Sequence, residues 1–205
     1  MPRHFTEDDP AAAVTMARTA GFGHLVVADD GGLRSTPMPF LVDEDGSSVR
    51  GHLARPNPIL RSLPASALLV VPLDDAYISP GWYPSKADHA EVVPTWNYEV
   101  VHLHGRLRAH GDDWTEQLVR DLTDHHEASM ATPWSVDDAP PEYIAGLLKA
   151  IVGVSLEVIE VEAKRKLSQN KPADDLTGAA DGLEHRDRRH DAAVAEAMRR
   201  HDPHR

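Results

Sequence analysis

The sequence predicts a mainly β fold of the α+β class, with peripheral helices around a small antiparallel barrel. Six or seven short apolar runs alternate as strands do, and most are joined by local turns that contain Gly, Asp or Pro. Helix-type patterns stand before, between and after these runs. With 205 residues, 41% of them hydrophobic and 26% charged, the chain can bury a core, which excludes a disordered protein.

The first third of the chain predicts one helix followed by a meander of strands. The helix spans residues 6–20, with Thr6 as its cap and Gly21 as its end. Strands follow at residues 22–28, 33–42 and 48–53. Pro37 and Pro39 lie inside the second of these strands, where neither can donate to a ladder, so we expect an edge or a bulge there.

The rest of the chain alternates strands with helices. Strands are predicted at residues 67–71, 76–79, 100–107 and 151–163, with a turn at residues 72–75. Helices are predicted at residues 112–127, 140–149, 175–185 and 188–200. The last two helices are polar, which is typical of a solvated tail.

The most informative stretch of the sequence is Trp96-Asn97-Tyr98, at the start of an apolar strand. Alternation along a strand sends Trp96 and Tyr98 to one face and Asn97 to the other. Flat apolar surface and a hydrogen-bonding carboxamide therefore lie within two residues, which suits a planar ligand with polar edges. A packed aromatic corner with its polar atoms satisfied by backbone is the alternative interpretation.

A second candidate site lies where a strand runs into a short helix opened by proline, from Gly51 to Pro58. His52, Arg55 and Asn57 stand beside the beginning of that helix, and a helix N-terminus attracts anions such as a phosphate monoester. The segment is not a glycine-rich phosphate loop, so an ordinary turn with a solvated Arg55 remains the alternative.

Composition and motifs exclude several kinds of chemistry. The chain contains no Cys, so disulfides, thiolate metal sites and cysteine nucleophiles are ruled out. No nucleophile elbow, dinucleotide fingerprint or Walker loop is present, and no catalytic residue is assigned. His102 and His104 share one strand face, but a third ligand at a defined spacing is missing, so no metal site is expected.

The net charge of the chain indicates which partners it can bind. The formal net charge is −12, and the last 22 residues hold six Arg against five acids, so the negative excess lies in the body of the chain. Such a body repels a phosphate backbone, which disfavours DNA as a direct partner. No apolar run approaches the length that a membrane span needs, so we expect no membrane partner and a cytoplasmic location.

Five ordered motifs resemble one known family. They are Gly51 to Pro58 (GHLARPNP), Tyr77 to Tyr83 (YISPGWY), Val93 to Tyr98 with His102 and Gly105, Ile151 to Gly153 (IVG), and Lys164 to Asn170 (KRKLSQN). In this order they closely resemble the PaiB-type FMN-binding negative transcriptional regulators. The resemblance implies the FMN-binding split β-barrel, a homodimer with FMN in the cleft between subunits, and a role in transcriptional regulation, with DNA as a possible partner. It also implies an FMN-binding domain at residues 1–171 and a charged helical tail at residues 172–205, packed on the barrel or extending from it.

The resemblance also implies how the flavin is held. The phosphate is expected beside Arg55, with His52, Ala54 and Asn57 in the same motif, because related flavin split barrels bind phosphate where a basic residue precedes Asn-Pro. Trp96 or Tyr98 is expected to form the wall for the ring. The polar edge of the ring is assigned to Asn97, Gln169 and Asn170, and Lys166 and Lys171 are expected to reach in from the other subunit.

Three functions are compatible with these observations. The first is an FMN-binding protein of the regulatory type, in which flavin state or occupancy alters an interaction. The second is an FMN-dependent oxidoreductase that acts on a small molecule, because fold and cofactor do not determine the reaction. The third is a flavin-free dimeric binding scaffold.

Overall fold

The computed structural model describes residues 5–29 and 31–204 of the chain. The strands among these residues are β1 (Thr6–Glu7), β2 (Phe22–Asp29), β3 (Gly32–Val42), β4 (Ser48–Ala54), β5 (Ala65–Ile78), β6 (Thr95–Ala109) and β7 (Ile151–Lys166). The α-helices are α1 (Pro10–Ala20), α2 (Lys86–His89), α3 (Asp112–Glu127), α4 (Pro141–Leu148), α5 (Ala173–Arg186) and α6 (Asp191–Arg200).

The strands form one sheet in the order β1-β7-β4-β3-β2-β5-β6. The ladders that join β2 to β3 and β5, and β4 to β3 and β7, are all antiparallel. An additional pairing of β7 with β6 joins the two ends of this series, with β1 added outside it. The predicted antiparallel barrel of α+β class is therefore confirmed.

Gly105 is placed where β6 and β7 approach each other most closely. A Cβ atom at this position would lie 2.0 Å from the carbonyl oxygen of Glu157 on β7, which no side chain tolerates. Glycine is thus required for the backbones of these two strands to meet.

Two sequence predictions about local structure are wrong. Thr6 does not cap α1; it lies in β1 and pairs with Lys164 of β7, so α1 begins only at Pro10. The predicted turn at residues 72–75 does not exist either, because β5 runs without interruption from Ala65 to Ile78. Pro72 is accommodated because β5 has already left β2, whose last partner is Val70, so the missing N–H costs no hydrogen bond on that side.

The chain divides into two compact units. The central unit consists of residues 14–71 and 102–161, and the C-terminal unit consists of residues 5–13, 72–101 and 162–204. In the central unit, Pro37 and Pro39 lie in the part of β3 that pairs with β2, before the ladder to β4 begins at Phe40. Within the described ranges that part of β3 has its other edge free, as the prolines predict.

The C-terminal unit has a hydrophobic core of its own, to which α5 and α6 contribute most of the side chains. The buried members are Ala76, Ile78, Tyr83, Leu167, Leu176, Ala179, Ala180, Leu183, Val194, Ala195, Ala197 and Met198. The tail that reads as solvated in sequence therefore buries one face of each helix. Over the described residues, no helix is both long and apolar enough to cross a membrane.

Close packing of α5 on residues 80–82 predicts a stability effect. A Cβ at Gly178 would lie 2.3 Å from the carbonyl oxygen of Trp82, so Gly178→Ala should lower the free energy of unfolding by roughly 1–3 kcal/mol. The control is Gly146→Ala in α4, where a Cβ meets nothing within 4 Å and the gain in helix propensity should leave stability unchanged or raise it by up to about 1 kcal/mol. Urea unfolding of both variants checks the difference, and equal effects would contradict the packing argument.

Candidate functional site

The start of β6 places its three central side chains as the sequence predicts. Trp96 is 53% exposed, Asn97 is fully buried and Tyr98 is half-buried, which is the alternation of a strand with one covered face. The Trp96 indole meets the ring of Tyr77 edge to face, with centroids 6.3 Å apart. A flat apolar surface is therefore exposed on this side of the strand.

Asn97 is engaged inside the C-terminal unit. Its Nδ2 donates to Ser168 Oγ at 3.0 Å and to Met198 Sδ at 3.3 Å, and Ser168 Oγ donates to Asn97 Oδ1 at 3.1 Å. Ser168 itself is 3% exposed and has a positive φ of 67°, a conformation that a serine adopts only where its surroundings hold it. The Asn97 carboxamide therefore holds the turn after β7, and its contact with the flavin stays a prediction.

Three basic residues at the end of β7 alternate between two environments. Arg165 donates to Glu7 Oε2 at 2.8 Å and to Glu99 Oε1, and all three side chains are largely buried. Burial alone would raise the pKa of the Glu7 carboxyl, but hydrogen bonds from Arg165 and from the Asp9 backbone N–H lower the pKa below its ordinary value. Lys164 and Lys166 point to the opposite face, since successive side chains of a strand alternate.

Both lysines lie beside the ring of Tyr98. Lys164 Nζ is 4.8 Å from the ring centroid and donates to Tyr98 Oη, and Lys166 Nζ is 6.0 Å from the same centroid. Lys166 Nζ also donates to Thr95 Oγ1 and, at 2.6 Å, to the carbonyl oxygen of Trp96. Burial lowers the pKa of Lys166, and the nearby Lys164 ammonium lowers it further.

The other candidates from the KRKLSQN motif are placed differently. The Gln169 side chain closes its own turn, with Oε1 accepting from the backbone N–H of Leu167 at 2.8 Å and Nε2 donating to the carbonyl of Arg165 at 2.6 Å. Asn170 is exposed. Lys171 Nζ lies 5.0 Å from the centroid of the Tyr83 ring.

Arg55 belongs to the central unit, and its guanidinium is already engaged there. Nε donates to the carbonyl oxygen of Lys149 at 2.6 Å, and Nη2 donates to the carbonyl of Ile151 at 3.0 Å and to Asp112 at 3.4 Å. The arginine thus ties the end of β4 to the chain before and within β7. These contacts use Nε and Nη2, so a phosphate at this position would bind through Nη1 or displace one of the three acceptors.

The neighbours of Arg55 also have structural tasks. The predicted short helix is a 3₁₀ turn, Pro58–Ser62, and Asn57 caps it by accepting from the backbone N–H of Ile59 at 3.0 Å. Burial lowers the pKa of His52, which disfavours the charged imidazolium that a phosphate would attract. Ala54 is exposed and offers only its backbone.

The ten predicted site residues therefore fall into two sets. The central unit contains His52, Ala54, Arg55 and Asn57, and the C-terminal unit contains Trp96, Asn97, Tyr98, Lys166, Gln169 and Asn170. Within the C-terminal unit, Trp96, Tyr98 and Lys166 come together on one surface. Sequence reasoning missed Lys164 and Thr95, although the spacing of Lys164 and Lys166 on one strand was a usable signal.

Fold and surface together define a protein of the flavin-binding split-barrel class: a closed antiparallel barrel that exposes the Trp96 indole on the strand whose Tyr98 ring lies beside two lysines. Comparison with known proteins agrees with this class. The chain belongs to the family described as "Putative FMN-binding domain", whose model matches residues 1–160. This membership supports FMN as the cofactor and confirms the resemblance seen in the sequence motifs.

Individual relatives cover most of the chain. "Protease synthase and sporulation protein PAI 2" of Bacillus subtilis is 28% identical over 202 residues, which is 97% of this chain and 95% of that protein. Among solved structures, the flavocytochrome Anf3 from Azotobacter vinelandii is similar with a TM-score of 0.60 at 19% identity, over 80% of this chain and 72% of that one. The FAD and heme binding protein from Mycobacterium smegmatis is similar with a TM-score of 0.57 at 17% identity, over 78% and 73%. At such identities the two structures support the fold.

The burial of Asn97 predicts a stability effect. Asn97→Ala leaves Ser168 without its partner in the core, so the free energy of unfolding should fall by about 1–3 kcal/mol. The control Asn170→Ala changes the same residue type at an exposed position, so the free energy of unfolding should change by less than about 0.5 kcal/mol. Thermal or urea unfolding checks both variants. Loss of flavin binding by Asn97→Ala at unchanged stability would show instead that the carboxamide contacts the ligand.

The Glu7–Arg165 pair predicts a pH dependence. The Glu7 carboxyl has a lower pKa in the folded protein than in the unfolded chain. The ion pair therefore stabilises the fold at pH values above the pKa of the unfolded chain, and this stabilisation is lost as the pH falls through the pKa of the folded protein. Glu7→Gln should therefore cost roughly 1–2 kcal/mol at pH 7 and progressively less in acid. Urea unfolding at a series of pH values measures the difference. In an Arg165→Met background the effect of Glu7→Gln should largely disappear, and a difference that persists there would contradict the assignment.

Proposed function

We propose that this protein binds FMN with the flavin ring against the surface formed by Trp96 and Tyr98, and that it acts as a homodimer with regulatory function. The observation that carries the proposal is the half-exposed Trp96 indole on the same strand face as Tyr98, whose ring lies beside two lysine ammonium groups, in a chain that belongs to an FMN-binding family. A flavin needs a flat apolar wall and donors for its polar atoms, and this surface supplies both.

Each side chain on this surface has a definite task in the proposal. Trp96 forms the wall for the ring, and Tyr98 lies between the wall and the lysines. Lys166 donates to polar atoms of the flavin, and exposed Asn170 lies in the turn that follows. Gln169 contributes by holding the conformation of that turn, because its carboxamide accepts from the Leu167 N–H and donates to the Arg165 carbonyl. Placement of the phosphate beside Arg55 stays a prediction.

Bound FMN supplies hydride and single-electron chemistry, which makes its redox state a signal that a protein can transmit. The Bacillus subtilis relative is named a "sporulation protein" as well as a "protease synthase", and its link to sporulation, a regulated process, supports a regulatory role here. Direct contact with DNA is disfavoured, because a chain with a net charge of −12 repels phosphate groups. The regulated partner is therefore more consistent with a protein or a small molecule.

A second function, that of an FMN-dependent oxidoreductase, is favoured by the polar groups beside Trp96. The Tyr98 hydroxyl and two ammonium groups are able to bind a substrate and exchange protons with it. Reduction of the bound flavin by a nicotinamide donor, followed by turnover, would select this function. A flavin that stays oxidised would select the regulatory one, and absence of flavin binding would leave a dimeric scaffold.

Titration with FMN tests the proposal directly. We expect saturable quenching of flavin fluorescence at about one FMN per chain, and Trp96→Ala should weaken binding by about 3- to 10-fold through loss of ring stacking. Trp134→Ala removes another exposed indole, in the central unit, and should leave binding unchanged. Arg55→Ala should weaken binding as well if the phosphate lies beside Arg55.

Sedimentation of the FMN-loaded protein completes the test, since a homodimer should sediment at about twice the chain mass of 22.5 kDa. Equal FMN affinity of the wild type and Trp96→Ala would refute the placement of the ring. No FMN binding by the wild type would refute the proposed function.

A further inference from the structure

The two lysines at the end of β7 have no carboxylate partner among the described residues. The ion pairs among the described residues include Arg165 with Glu7 and Glu99, but none includes Lys164 or Lys166. In a chain with a net charge of −12, acids are plentiful, and most of the arginines pair with them. The other described lysines form no ion pair either, but Lys164 and Lys166 differ from them because both of their ammonium groups lie beside one ring, that of Tyr98.

Retaining these charges has a cost. Both Nζ atoms lie within 6.0 Å of one aromatic ring, and two like charges so close to a common ring repel each other. Lys166 is also partly removed from water, and burial lowers its pKa because the charged form is the one that loses hydration. An anion between the lysines would relieve both costs.

Donors remain for such an anion. An ammonium group has three N–H donors. Lys166 uses donors on Thr95 Oγ1 and the Trp96 carbonyl, and Lys164 uses one on Tyr98 Oη, so each lysine retains at least one. The exposed Trp96 indole lies on the same strand face as Tyr98, two residues before it, and offers apolar contact to a molecule that carries the anion.

We infer that Lys164, Lys166 and Thr95 form a binding site for an anionic group, a phosphate or a carboxylate, carried by a planar aromatic molecule that rests on Trp96. The anion has two possible sources: the phosphate of FMN itself, or the acidic group of a second small molecule. The first source rests on the function proposed above, and the second does not. In either case the lysines form an anion site in addition to the Arg55 motif, whose guanidinium donates to two carbonyls and Asp112.

The first arm of the test compares FMN with riboflavin, which differs only by the phosphate. Affinities for both are measured by fluorescence titration for the wild type, Lys164→Met, Lys166→Met and the double variant. If the anion is the FMN phosphate, the preference of the wild type for FMN should fall by about tenfold or more in the double variant, since charge-assisted hydrogen bonds are lost. Lys166→Arg keeps the charge and should retain most of the preference.

The second arm uses inorganic phosphate and benzoate as probes on the same proteins, with binding followed by calorimetry and by Trp fluorescence. If the anion belongs to a second molecule, the FMN preference should be unchanged in the double variant while binding of at least one probe is lost. Lys86→Met is the matched control, because it removes an exposed lysine of the same unit and should preserve both readouts.

The outcomes separate the two proposals. Failure of the wild type to bind any flavin refutes the proposed function, and the probe arm then decides the anion site alone. If the double variant, shown to be folded by circular dichroism, keeps both the FMN preference and the probe binding of the wild type, the lysine site is refuted. If Arg55→Ala loses the FMN preference and the double variant keeps it, the phosphate lies at Arg55. The binding of inorganic phosphate and benzoate to the wild type and the double variant then decides whether the lysine site exists.

Discussion

The alternation of three basic side chains at the end of β7 is the constraint on which the C-terminal unit depends. Arg165 points to the side where Glu7 of β1 and Glu99 of β6 lie, and its two ion pairs hold β7 between these strands. Because side chains of a strand alternate, the same register sends Lys164 and Lys166 to the opposite side. A shift of one residue would exchange the two environments, placing two lysines against the buried acids.

The buried hydrogen bonds between Asn97 and Ser168 hold the chain in place just after the end of β7. Ser168 adopts a positive φ, and its hydroxyl is held by the Asn97 carboxamide in the core shared with α6. The turn that follows is closed by the side chain of Gln169. Conformation at residues 164–169 is thus determined by contacts with β1, β6 and α6, and the partly buried lysines are held on a supported backbone.

Electrostatics gives this surface its functional interest. The acidic excess of the chain neutralises many of its arginines in local ion pairs, among them Arg50, Arg120, Arg186 and Arg199. The lysines beside Tyr98 stand apart from that pattern, and burial works against the charge of one of them. Since the described C-terminal unit also exposes Trp96 there, the surface combines the two features that a phosphorylated aromatic cofactor or an aromatic acid requires.

The sequence by itself determined the fold class, most of the strands, the terminal helices and the family, because alternation, turn residues and ordered motifs are local properties. It also predicted the opposite orientations of Trp96 and Asn97 along β6. The tertiary structure alone decided which polar groups are free. Arg55 donates to backbone carbonyls far along the chain, Asn97 is buried in the core, and β5 passes through Pro72 because its ladder with β2 ends at Val70. These hydrogen bonds and strand pairings involve residues far apart in the sequence. A local sequence pattern therefore does not show whether a donor is already bonded to an acceptor.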